Sequence, residues 1–137
     1  VISLHACDTA TDAVLEVAMK TRAQIILSTP CCHHDMNRRL DCPTLAFIAE
    51  RPMLRQKFCD AATDALRLLR LDAMGYKTDA TELIDPEDTP KNILLRGFLR
   101  TKFDRNSLEA VEKWERYRAA YRFLYNTEPP ALPEIIV

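Results

Sequence analysis

A chain of 137 residues, 47% hydrophobic and 28% charged, has the composition of one globular domain with room for a real core. Its net charge of −1 and pI near 6.3 supply no global basic field that would argue for nucleic acid, although local patches are left open. No apolar run reaches membrane-spanning length and no signal peptide is visible. Five cysteines, an odd number with Cys31 and Cys32 adjacent, do not make a disulfide framework. Adjacent cysteines pair only with strain, which points to reduced thiols and a cytoplasmic setting. The two glycines, Gly75 and Gly97, compare with roughly nine or ten at average usage, and neither lies in a phosphate-cradling pattern.

In chain order, Val1 to His5 is a short apolar strand. The chain begins inside that strand without an initiator Met, so it is expected to be the carboxyl-terminal part of a longer protein. Thr9 or Thr11 can N-cap a helix to about Arg22, with Asp12 in its first turn and Ala13, Val14, Val17 and Ala18 as the buried stripe. Gln24 to Ser28 is a second strand. Pro30 to Pro43 reads as loop, with a helical turn at Asp35 to Leu40 and a basic spot at Arg38-Arg39. A long helix is expected from about Pro52 to Met74, with Phe58, Ala62, Ala65, Leu66, Leu69 and Ala73 on one face and Gly75 as the residue just past its end. Tyr76 to Ile84 and Asn92 onward read as strands joined by Asp85 to Pro90, a connection so short that the pair must be antiparallel. Asn106 with Glu109 suggests a capping box for a last helix carrying Leu108, Val111, Trp114, Tyr117, Tyr121 and Leu124. The residues beyond Pro129 are extended, because Pro129, Pro130 and Pro133 forbid helix.

Two stretches are dense in chemistry: His5-Ala6-Cys7-Asp8-Thr9-Ala10-Thr11-Asp12 and Pro30-Cys31-Cys32-His33-His34. Each directly follows a strand, and in an open parallel sheet the loops at the carboxyl ends of neighbouring strands line the ligand crevice. A metal is not expected, since adjacent residues do not converge readily on one tetrahedral ion and Cys-x-x-Cys spacing is absent. Cys31 could act as a nucleophile if His33, His34 or a helix amino terminus lowered its thiol pKa. Equally, Cys7, Cys31 and Cys32 could be small packing residues. Asp8 and Asp12 could position a substrate or serve as base, while helix capping also accounts for Thr11 and Asp12. His5 could be a satisfied core histidine, Lys91 a solvated turn lysine rather than a phosphate contact, and the aromatics from Trp114 to Tyr125 core rather than a base-stacking platform.

Two parallel βα units followed by an antiparallel strand pair is the ordering of the second half of a class I methyltransferase fold. The Leu4 to Asp12 block, Pro30 to His34 and Thr89-Pro90-Lys91-Asn92 resemble blocks of a bacterial family of S-adenosylmethionine (SAM) dependent methyltransferases. The first two blocks are also similar to those of eukaryotic tRNA 2′-O-methyltransferases that modify the acceptor stem, departing from them at Asp8, where their motif tends to have glycine. The resemblance spans residues 1 to about 100 and implies a Rossmann-like α/β fold, with residues 1–126 as the carboxyl-terminal part of a methyltransferase domain and 127–137 as an extended Pro-rich tail. It implies SAM as cofactor and an RNA base or ribose as acceptor. Catalytic roles would fall to Asp8, Cys31 and His33, cofactor binding to His5 and Cys7, and substrate binding to Thr9, Asp12, Cys32, His34 and Lys91. The glycine-rich loop and the acidic residue that hold SAM in this family are not in this sequence, and would lie upstream of Val1. Two alternatives stand beside this: a non-catalytic binding or assembly subunit derived from a methyltransferase, and methylation of a protein or small molecule. No membrane partner is expected, and pairing of two copies through the exposed sheet edge is.

Overall fold

The computed structural model describes residues 1–31, 33–83 and 93–136. Its chain runs β1 (Ile2–Leu4), α1 (Thr9–Lys20), β2 (Ile25–Thr29), α2 (Asp35–Arg39), a 3₁₀ turn at Pro43–Leu45, α3 (Ala46–Ala49), α4 (Pro52–Ala73), β3 (Tyr76–Glu82), β4 (Ile93–Leu99) and α5 (Leu108–Tyr125). The four strands form one sheet in the order β1-β2-β4-β3. β1 is parallel to β2, with Ile2 opposite Leu27 and Leu4 opposite Thr29. β4 lies antiparallel to both β2 and β3, so β3 runs in the same direction as β1 and β2. This is the mixed α/β architecture expected, with the short strand pair antiparallel. That β4 slots between β2 and β3 is a long-range choice that local pattern does not contain.

One face of the sheet carries the core. Ile26 of β2 and Tyr76 of β3 meet Leu15, Ala18 and Met19 of α1 and Leu71 of α4, all buried. The Tyr76 hydroxyl donates to the Ala23 carbonyl at 2.9 Å, which explains how a tyrosine tolerates complete burial. α1 therefore buries Thr11, Leu15, Ala18 and Met19. The expected stripe is turned around the helix, since Ala13 is exposed and Val17 is 59% exposed. The long side chains of Leu15 and Met19 reach the sheet better than valine or alanine.

α4 separates this core from a second one. Its Cys59 and Leu66 pack with Met36 of α2 and Tyr117, Tyr121 and Leu124 of α5, while Phe58, Ala62 and Leu69 are partly buried there. Ala65 is exposed and Ala73 faces inward. The helix starts on Pro52 at its first position. It ends where Gly75 takes φ 94°, a conformation that costs glycine little. α5 begins with the Ser107 Oγ accepting from the Ala110 amide at 3.2 Å. The cap is thus Ser107 and not Asn106, and Glu109 pairs instead with Arg100. Leu108 and Val111 are exposed, at 73% and 51%. Asn126 closes the helix in the left-handed region at φ 54°. Beyond it, Leu132 and Ile135 fold back onto the first core, and the Ile136 amide donates to Lys20 O at 3.0 Å.

Candidate functional site

The two loops following β1 and β2 meet at the carboxyl end of the parallel pair. The backbone turns sharply after β1: His5 and Asp8 have φ of 53° and 49°. Neither is glycine, and residues held in that region store roughly 1–3 kcal/mol of strain that surrounding contacts must offset. The contacts are present. The His5 amide donates to Thr29 O at 3.1 Å, and the Thr11 hydroxyl, fully buried, donates to Ala6 O at 2.8 Å. Thr11 therefore ties down the loop, and Asp8 takes the N-cap position of α1 without a side-chain cap bond there. Across the loops, Cys7 Sγ lies 3.0 Å from Cys31 Sγ, and Cys31 Sγ lies 3.5 Å from His5 O. His5 and Cys7 are exposed, forming an uncovered ledge.

The Asp8 carboxylate accepts the Asp35 amide at 3.1 Å, closing the first turn of α2, and its other oxygen stands 4.0 Å from Arg38. Asp8 thus couples the two loops. His34, exposed, takes the N-cap position of α2. Thr9 is exposed at the start of α1 and lines a cavity beside Asp8 and Asp12. Cys32 and Lys91, both expected to touch substrate, lie outside the described residues.

His33 and Asp12 are joined by residues of α4. His33 is 3% exposed; its Nε2 is 2.9 Å from Asp64 Oδ1 and its Nδ1 is 3.5 Å from Asp60 Oδ1. Arg67, itself 5% exposed, donates to the same Asp64 oxygen at 3.1 Å. It also donates to Asp12 through Nε at 2.8 Å and Nη2 at 3.2 Å, and to the Asp8 carbonyl at 2.8 Å. Burial works to lower the Arg67 pKa, but Asp12 and then Asp64 outweigh it and hold the guanidinium charged. Gln56 adds a bond to His33 O at 3.0 Å. A chain of charge-assisted contacts, buried from His33 to Arg67 and ending on the half-exposed Asp12, therefore runs His33–Asp64–Arg67–Asp12 and fixes both loops to α4. Asp12 spends both carboxylate oxygens on Arg67, and His33 is sealed from solvent, so both hold the site together. Asp60, Asp64 and Arg67 were missed from sequence, where their spacing of four and three residues along one side of a helix was the available signal.

Among the described residues, no group of three or more His, Cys, Asp or Glu side chains is arranged to hold a metal ion.

Residues 1–39 match the model of a family described as a methyltransferase domain. The matched segment holds β1, α1, β2 and α2, and so both loops of the site. The mixed α/β sheet is consistent with a methyltransferase-like fold. Among curated proteins, the chain is similar to a glutathione S-transferase C-terminal domain-containing protein homolog of Drosophila melanogaster, 29% identical over 124 residues. That likeness covers 69% of this chain and 21% of the relative, so the chain spans about a fifth of that protein's length. No solved structure matches the chain. No helix among the described residues is long and apolar enough to cross a membrane.

Proposed function

We propose that the chain forms the acceptor side of a SAM-dependent methyltransferase acting on an RNA base or ribose, of the type that carries the HACDTATD and PCCHH blocks. The observation that carries this reading is the turn after β1. Two non-glycine residues with positive φ bracket Ala6-Cys7 at the carboxyl end of a parallel strand, within the segment that matches a methyltransferase domain. Strain maintained by so many contacts is characteristic of working loops. Asp8 is also the position at which the similar tRNA enzymes tend to carry glycine, in keeping with its backbone conformation.

His5 and Cys7, exposed on the ledge, would hold the sulfonium end of SAM, and the polarizable thiol suits that group. When bound, SAM supplies an electrophilic methyl group. Asp8 is half-buried and aims its carboxylate between the two loops, where it can take up the proton that the acceptor oxygen or nitrogen loses. The Cys31 thiol packs between Cys7 and the His5 carbonyl and shapes the floor. His33 acts through Asp64 as a positioning residue.

The test is Asp8→Asn, which keeps a side chain tolerant of positive φ and an acceptor for the Asp35 amide while removing the charge. In the full-length protein that carries the SAM-holding loop, methyl transfer to RNA should fall by about 10²-fold with SAM affinity by calorimetry unchanged. Retained turnover, or loss of SAM binding with the fold intact, refutes the assignment. A non-catalytic binding subunit is the competing reading; it predicts no SAM binding by the full-length protein in the same calorimetry.

A further inference from the structure

Beyond Asp8 the site opens into a cavity of about 210 Å³ between the start of α1, α2, α4 and α5. Three features of its lining decide what it can hold. First, Tyr117, Tyr121 and Tyr125 recur every fourth residue on α5, with ring centroids 6.0 and 4.6 Å apart, and the Arg39 guanidinium lies 4.3 Å from the Tyr125 ring centre. Tyr117 and Tyr121 are buried, so the flat surface left for an unstacked base is that of Tyr125 and the Arg39 guanidinium, which Asp35 and the Tyr121 hydroxyl hold in place. Second, Arg70 lines the cavity with its Nε buried and without a hydrogen-bond partner among the described residues; its nearest ion-pair partner is Glu16, at 3.5 Å from Nη2. The Nε itself is closed off, but the guanidinium carries further N–H donors that an acceptor entering the cavity can meet. Third, Asp8 lines the same cavity, and a carboxylate that accepts the Asp35 amide on one oxygen keeps further lone pairs for a donor. A bare anion would meet Asp8, Asp12 and Asp35 as well as Arg39, Arg67 and Arg70, and gains nothing from that balanced charge.

We propose that this cavity is a nucleobase pocket selective for guanine. Guanine has O6 and N7 as acceptors for the Arg70 guanidinium and adjacent N1–H and N2–H donors for a carboxylate, and its purine plane suits the tyrosine and Arg39 surfaces. Uracil has one N3–H donor and no exocyclic amino group, so it offers the carboxylate one hydrogen bond where guanine offers two. The proposal rests on the methyltransferase reading for its role, placing the guanine next to the transfer loop, but the binding it asserts is independent of that reading.

Titration with guanosine 5′-monophosphate and, separately, uridine 5′-monophosphate in the absence of SAM, followed by NMR, tests it. Guanosine monophosphate should shift the ring resonances of Tyr117, Tyr121 and Tyr125 and bind at least tenfold more tightly than uridine monophosphate. Arg70→Met should remove that preference, and Arg70→Lys should restore part of it. Equal binding of the two nucleotides, or shifts that miss the α5 tyrosines, overturns the pocket on the native protein whatever the variants do. A single-stranded oligoribonucleotide containing one guanine assigns the source: tighter binding than the mononucleotide assigns RNA, and equal binding assigns a free nucleotide, each supporting the pocket. Methyl transfer is measured beside these. Guanine binding without methyl transfer sinks the enzyme reading alone; methyl transfer without guanine binding sinks the pocket alone.

Discussion

Arg67 sits inside the protein because three acceptors meet it there: Asp12, Asp64 and the Asp8 carbonyl. Replacing it with Met leaves Asp64 buried with only His33 as partner, and removing one member of a buried charged network costs about 3 kcal/mol. Arg67→Met should lower the denaturant midpoint by an amount corresponding to that figure; an unchanged midpoint means the network does not hold the loops. At the same scale, burial pushes the Tyr117 hydroxyl up to about 12, with Arg70 pulling the other way. Its ordinary value is 10.0, so the folded protein keeps the proton more tightly than the unfolded chain. The resulting stability is complete below pH 10 and is lost as pH rises from there toward 12. Chemical denaturation across that window should show the decline, and Tyr117→Phe should flatten it.

At the scale of elements, the passage from α4 into β3 depends on Gly75. A Cβ built there would come within 2.6 Å of Phe103 Cδ1, at φ 94°. Gly75→Ala therefore combines a disfavoured backbone with a clash and should destabilise the fold by about 2 kcal/mol. Thermal unfolding checks this. An alanine variant as stable as the parent would mean that Phe103 does not seat against the turn. Because α4 serves both cores, the same variant should shift the α5 and sheet signals together rather than separately.

Across the whole molecule, the described residues cover the sheet on one face only. On the other, Ile2, Leu4, Ile25 and Phe98 are exposed at 69, 67, 49 and 41%, and the pairing register puts them side by side on β1, β2 and β4. Farther along this face, Arg96 and Asp79 form a salt bridge and keep that side polar. β1 reads as a short apolar strand, yet only its Ser3 is buried. We propose that two copies associate through this apolar half-face and the β1 edge. Sedimentation should show concentration-dependent association that Leu4→Lys abolishes; a monomer at all concentrations refutes it.

What the sequence determined by itself was local. Period and punctuation placed the helices and strands, because Pro52, Gly75 and the β-branched run Ile25-Ile26 act on their own neighbours. Likewise, the strand-then-loop ordering was enough to bring the loops after β1 and β2 to one edge of the sheet, since adjacent parallel strands end there. Tertiary structure decided the rest. Whether Ile2 and Leu4 are inside depends on what covers a face, and the cap of α5 falls on Ser107 while Glu109 pairs with Arg100 outside the helix. Asp60, Asp64 and Arg67 read as ordinary helix-surface charges until α4 is laid against loop residues distant in sequence, where Asp60 and Asp64 meet His33 and Arg67 meets Asp64 and Asp12.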